Sequence, residues 1–228
     1  ELGKAYNKVY RRKKVKEKDL KIFYCYIDFM GESISRTYTG KVPDLIFKNI
    51  ENNNIRHEIA VSIMTLYFMY ELNKDSLYAD KSRDIILGAL LHDIGKSKLN
   101  QKILNKPGRH TPTEREHIET HPMEGFKIIK HSDINSLEVE TIALFHHFMT
   151  NGYPEFAEGM IIPDYVELIT IIDILCAVLQ KRVYHSSKKP FSEIFYILNS
   201  NDSKESKQII DILVRILPIF NKGDIILT

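Results

Sequence analysis

Four ionisable side chains occupy positions that should face a protein core. In His57, Ala60, Val61 and Met64 the spacing predicts one helical face, with Asn53 one turn earlier. Ile85, Gly88, Ala89 and His92 repeat at i, i+3, i+4 and i+7, and Val139, Ile142, Ala143 and His146 do the same. Val166, Ile169, Thr170, Asp173 and Ala177 form a further face. Each face thus carries one His or Asp among apolar neighbours. Burying an ionised carboxylate costs several kcal/mol unless a cation compensates it. Any one of these residues alone fits a hydrogen-bonded core group. Four on separate helices, if they converge, fit a metal centre built between facing helices.

Two neighbouring pairs sharpen that expectation: His92-Asp93 and His146-His147. Neighbours on a helix diverge by ~100°, so such a pair straddles a wide site more easily than it chelates one ion. Asp93 can bridge two ions through its two oxygens, which a histidine cannot. A set of His and carboxylate ligands suits Fe, Mn or Zn rather than a thiolate site. No Cys-x-x-Cys pair is present.

The elements that must position these residues read as helices from about residue 51 onward, so the expected fold is an all-α bundle. Thr111-Pro112-Thr113-Glu114 is a helix start, with Thr111 as cap, Pro112 in the first turn and Glu114 closing a capping box. Pro122 kinks or restarts that helix just after His121. Ile209–Phe220 reads as a final helix. Residues 1–50 are expected to be a small appendage and residues 51–228 the main domain. Residues 1–20 suit a polar helix. Lys21–Met30, rich in Tyr, Phe and Ile, suits a short hairpin or an irregular packing arm.

The 228 residues carry a formal charge of only +2, which argues against a nucleic acid polymer as partner. The basic run from Arg11 to Lys16 is expected to be a solvated helix face or linker. Ile59–Tyr70 is too short to span a bilayer, and Val166–Leu179 is broken by Glu167 and Asp173, so no membrane span is expected. Two cysteines, Cys25 and Cys176, suit a reducing, cytoplasmic setting. The chain opens on Glu1 rather than Met, as a processed or trimmed chain does, which leaves room for an upstream domain.

The run Leu90-Leu91-His92-Asp93-Ile94-Gly95-Lys96 resembles the signature of the HD superfamily of metal-dependent phosphohydrolases. The text after it resembles the HD-GYP subfamily: Ile103 to Gly108, Thr111 to Glu114, His121-Pro122 with Gly125, His146-His147, and Asn151-Gly152-Tyr153-Pro154. Ile162-Pro163, Asp173, Arg182 and Tyr184 continue the match. The resemblance implies hydrolysis of cyclic di-GMP to pGpG, in some members on to GMP. It implies His57, His92, Asp93, His121, His146, His147 and Asp173 as metal ligands, with Asp93 bridging. Members with a third ion carry Glu four residues before the first His. Asn53 stands there, which implies two divalent ions, Fe or Mn foremost. Phe148 replaces a usual Glu, the loop before Tyr153 is about two residues short, and Cys176 and His185 replace other polar or basic groups.

The same resemblance implies roles around the ions. Lys96 is the candidate for electrostatic help at the phosphate, against an ordinary surface lysine. Arg182 suits a second phosphate through its planar fork, against a helix-end cation, and His185 is a weaker phosphate contact. Tyr153 suits stacking on a guanine, against a loop anchor, and the 151–154 loop is a candidate contact for a signalling partner. His110, His117 and His131 are read as surface or local hydrogen-bonding residues. The competing expectations are an HD-type phosphohydrolase acting on another nucleotide, a dinucleotide sensor without catalysis, and a structural zinc site. Seven candidate ligands are too many for one closed four-coordinate zinc. Oligomeric state is left open.

Overall fold

The computed structural model describes residues 1–36, 55–72, 80–147, 160–184 and 207–208. Asn53, Phe148, Tyr153 with the rest of the 151–154 loop, His185 and the expected helix at Ile209–Phe220 lie outside the described residues, as does the side chain of Arg182. Among the described residues every regular element is helical, as expected of an all-α bundle.

Helix α1 (Leu2–Arg12) ends where Lys13 takes a left-handed conformation, φ 56°, and its N–H donates to Val9 O at 2.7 Å. Helix α2 (Glu17–Arg36) starts four residues after Lys13. Asp19 fastens this corner: its carboxylate accepts from Lys16 N at 2.9 Å and pairs with Arg12. The basic run is therefore a tied turn between two helices, with Val15 fully buried beneath it.

The stretch expected to be a hairpin or irregular arm is part of α2 instead. Its aromatic and β-branched residues suggested a strand. Their spacing decides otherwise, since Phe23, Ile27 and Ile34 recur on one face and bury into the common core. Ala5, Tyr6 and Val9 of α1 join the same core, each fully buried side chain of this kind contributing roughly 1.5–3 kcal/mol.

Helices α3 (Arg56–Glu71) and α4 (Ser82–Leu91) lie at the centre and are buried around most of their circumference. A 3-10 turn (Ile94–Lys98) follows α4, then α5 (Gln101–Leu104), capped by Asn100, whose side chain accepts from Lys102 N at 3.0 Å. Helix α6 (Pro112–Glu119) begins with the expected capping box between Thr111 and Glu114. A new helix, α7 (His121–Lys130), restarts at His121, and α8 (Leu137–Phe145) is capped by Ser136. The last described helix is α9 (Asp164–Tyr184). Helix α3 packs on α4 and α9, α8 packs on α4 and α7, and the 3-10 turn docks on α7.

Two glycines permit these approaches. A Cβ at Gly88 would stand 2.4 Å from Ile142 Cδ1, so α4 and α8 touch there without a side chain between them. A Cβ at Gly95 would stand 1.9 Å from His121 O, so the 3-10 turn sits directly on the start of α7. No helix among the described residues is long and apolar enough to cross a membrane.

Candidate metal centre

The ends of helices, rather than their middles, present most of the cluster. His92 caps the C-terminus of α4 and Asp93 begins the 3-10 turn. His121 opens α7, and His146 caps the C-terminus of α8, with His147 next in the following turn. His57 sits in the first turn of α3, and Asp173 lies midway along α9.

The seven side chains gather in two groups. Asp93, His121, His146 and His147 have ligand atoms within 4.8 Å of one another, and so do His57, His92 and Asp173. His57 Nε2 meets Asp173 Oδ1 at 2.7 Å, across 116 residues of chain. Asp93 stands between the groups: Oδ1 lies 3.1 Å from His121 Nε2, and Oδ2 lies 3.4 Å from His92 Nε2. The His92-Asp93 pair straddles the two groups. The His146-His147 pair does not, since both rings fall in one group with centroids 4.3 Å apart. His147 lies in the turn that follows α8, its ring beside that of His146.

Main-chain carbonyls set the tautomers. His92 Nδ1 lies 2.8 Å from Ala89 O, His121 Nδ1 2.8 Å from Ile118 O, and His146 Nδ1 3.1 Å from both Ile142 O and Ala143 O. A carbonyl only accepts, so each Nδ1 carries the proton and a neutral ring leaves its Nε2 lone pair pointing inward. His121 Nε2 and His146 Nε2 then face each other at 3.2 Å. His92 Nε2 and Asp93 Oδ1 are buried with no hydrogen-bond partner. Ligating histidines characteristically donate their other N–H to a carbonyl or carboxylate in this way. Inward lone pairs and orphaned buried acceptors are what a cation would satisfy, so the residues present fit a divalent metal.

The electrostatics agree for the group of His121, His146 and His147. Burial pushes His146 down to about 4 and His147 down to about 3, so both are neutral near pH 7. Burial also lowers His121. His92 differs: burial lowers it, but the Asp93 and Asp173 carboxylates carry it above the ordinary value. Burial alone would raise Asp93, and the Lys96 ammonium with the surrounding histidines holds it well below the usual carboxylate range. For Asp173, His57 and His92 overcome burial in the same direction.

Lys96 stands at the rim, its ammonium paired with Asp93 Oδ2. His57 and Asp173 are partly open, with 21% and 15% of their side chains exposed, so the second group borders solvent while the first is deeper. His110, His117 and His131 make local hydrogen bonds away from the cluster, to Ile103 O, from Asn100 N and to Lys127 O. Sequence reasoning passed over Glu58, a buried carboxylate directly after His57. Its charge within a mostly apolar run was the available signal.

The HD domain model matches residues 55–178, a stretch that holds all seven cluster residues. The chain is 28% identical over 189 residues to a cyclic di-GMP phosphodiesterase from Thermotoga maritima, covering 77% of this chain and 50% of that protein. It is 28% identical to a cyclic di-GMP phosphodiesterase response regulator from Xanthomonas campestris pv. campestris, covering 61% of this chain and 38% of that one. It is also 28% identical to a 3'3'-cGAMP-specific phosphodiesterase from Vibrio cholerae, covering 70% of this chain and 37% of that one. The chain thus spans half or less of the length of these curated relatives. No solved structure matches it significantly. A His-Asp pair at the end of one helix, inward-facing histidines from three others and a matching profile over more than half the sequence lead to one conclusion: the chain belongs to the HD domain family.

Proposed function

We propose that this chain is a metal-dependent phosphodiesterase that hydrolyses cyclic di-GMP to linear pGpG. The observation that carries the reading is the division of seven ligand candidates into two groups with Asp93 between them. In this reading His121, His146, His147 and Asp93 would hold one divalent cation, and His57, His92, Asp173 and Asp93 would hold a second. Fe or Mn suits the ligand set. Such cations would lower the pKa of a shared water and neutralise charge on the phosphate.

The chain's own groups do the rest. Carbonyls at residues 89, 118 and 142 lock the rings so that their basic nitrogens face inward. Ile94, Val139 and Ile169, on elements that carry the cluster, are fully buried. Lys96 places a positive charge at the rim, where a phosphate oxygen would approach. Water attacks phosphorus in line with the departing ribose oxygen. The bond to that oxygen breaks, and the proton given up by the attacking water goes to it, so that it leaves as a hydroxyl. Tyr153, Arg182 and His185 are proposed to contact substrate, and the 151–154 loop to contact a signalling partner.

The relatives' names support the substrate class, and the Vibrio cholerae name marks 3'3'-cGAMP as the alternative within the same chemistry. Residues 51–228 are proposed as the catalytic domain, with α1 and α2 packed onto it. The free thiols of Cys25 and Cys176 suit a cytoplasmic setting. The test is a panel of cyclic di-GMP, 3'3'-cGAMP, a mononucleotide and bis(p-nitrophenyl) phosphate, offered to protein loaded with Mn or Fe, with products separated by chromatography. Turnover of the mononucleotide with both dinucleotides untouched would sink the reading.

A further inference from the structure

Helix α2 has two opposite faces. Phe23, Ile27 and Ile34 enter the core. On the other side Lys18, Lys21, Cys25, Asp28, Phe29 and Glu32 are exposed, and at ~100° per residue these six fall within an arc of about 100°. Phe29 is 66% exposed there, a large aromatic ring standing among charges. Beside it runs a groove of about 550 Å³ between α2 and the first turn of α4, lined by Lys21, Tyr24, Cys25, Asp28, Glu32 and Arg83. Its wall is held in place. The Arg83 guanidinium lies 4.7 Å from the centroid of the Tyr24 ring, and the Tyr24 hydroxyl donates to Asp84 Oδ1 at 2.6 Å.

The charges along this face are segregated. Lys18 and Lys21 come before Cys25, and Asp28 and Glu32 come after it. Such a face is complementary to itself when turned end for end. With a two-fold axis at Cys25, Lys18 of one copy meets Glu32 of the other, since each lies seven residues from Cys25. Lys21 meets Asp28 and Phe29 in the same way. A parallel pairing would instead set base against base and acid against acid.

We propose that this face of α2 is the interface of an antiparallel homodimer, in which each copy seats its Phe29 in the other's groove beside Lys21, Tyr24 and Arg83. A two-fold interface uses the same patch on both copies, which is what this pattern supplies. Aromatic residues and arginine are the types favoured at the centre of such interfaces. Lys21 and Arg83 already pair with Glu17 and Asp28 within one copy, at 3.0 and 2.8 Å. Pairs this exposed are worth little and yield to a new partner. The groove wall belongs to α4, whose far end carries His92, so the dimer would brace the helix that presents the metal centre.

Sedimentation velocity on the full chain over a range of concentrations should show a monomer–dimer equilibrium. Phe29→Ser should raise the dimer dissociation constant at least about tenfold. Lys18→Glu with Lys21→Glu should be monomeric, and so should Asp28→Lys with Glu32→Lys. An equal mixture of those two variants should dimerise again, because an acidic face then meets a basic one. A short bismaleimide should join two wild-type chains through Cys25, while Cys176 is buried and Cys25→Ser should give no product. A chain that stays monomeric at every concentration overturns the proposal. So does a Cys25 closed to a monofunctional maleimide in that monomer, which would place another segment of the same chain over the face. A dimer indifferent to the charge reversals and to Phe29→Ser has its interface elsewhere and overturns it too. Charge-reversed variants that remain helical by circular dichroism yet fail to pair on mixing would overturn the antiparallel arrangement.

Discussion

His121 and His146 point their Nε2 atoms at each other across 3.2 Å, and each ring turns its Nδ1 onto a main-chain carbonyl. Two neutral rings held this way bring lone pair against lone pair in a buried site. Helix ends fix the rings, so neither can rotate away without breaking its carbonyl hydrogen bond. A cation shared with Asp93 removes the repulsion, and the first prediction comes from that.

Divalent metal should stabilise the fold. At free metal about 100 times its dissociation constant the gain is about 2.7 kcal/mol. Thermal melts with Mn, and again with a chelator, measure it. His146→Ala should shrink the metal-dependent rise in Tm. An identical Tm with metal and with chelator would count decisively against the metal centre.

Asp93→Ala should reduce turnover and metal content together, each by more than about 100-fold, since even outer partners of a ligand are worth 10–100-fold. Its far-ultraviolet circular dichroism should stay helical. Elemental analysis beside the activity assay checks this. Activity retained in that variant would remove Asp93 from the bridging position between the two groups.

Gly95→Ala and Gly31→Ala should move stability in opposite directions. A Cβ at Gly95 meets His121 O at 1.9 Å and Gly125 N at 2.5 Å, so the 3-10 turn must lift off α7. Such overpacking costs about 1–3 kcal/mol or more, and it displaces His121 and Asp93 as well. Gly31 lies inside α2 with nothing within 4 Å of its would-be Cβ, so alanine there should stabilise by up to about 1 kcal/mol. Denaturant melts of both variants read the contrast, and a neutral Gly95→Ala would contradict the close docking.

The Lys81–Glu138 pair predicts a pH effect remote from the cluster. Partial burial pushes the Glu138 carboxyl up, and the Lys81 ammonium at 2.9 Å outweighs it, holding the group below its ordinary value. A carboxylate with a lowered folded pKa contributes stability that is full above its unfolded pKa of about 4.3 and is lost as pH falls through the folded value. The wild type should therefore exceed Lys81→Met in Tm at pH 7, and the gap should close as pH falls below about 4. The pair is largely exposed on the lysine side, so high salt should narrow the gap too. A gap that widens on acidification would reverse the assignment.

What the sequence by itself determined is local. The capping box at Thr111–Glu114 is legible because its partners lie within one turn. The all-α class is legible because apolar spacing needs no knowledge of the neighbour. His92, His146, His57 and Asp173 were readable as polar residues on apolar faces for the same reason. Tertiary structure alone decided how those residues combine. His57 meets Asp173 only because α3 docks on α9, and Asp93 stands between two groups only because Gly95 lets the 3-10 turn sit on His121. The aromatic stretch from residue 21 carried a strand-like composition, and only packing against the core made it part of α2. Glu58 is a polar interruption in the sequence and a buried carboxyl once α1 folds over it, because burial belongs to the assembled surfaces and not to the residue.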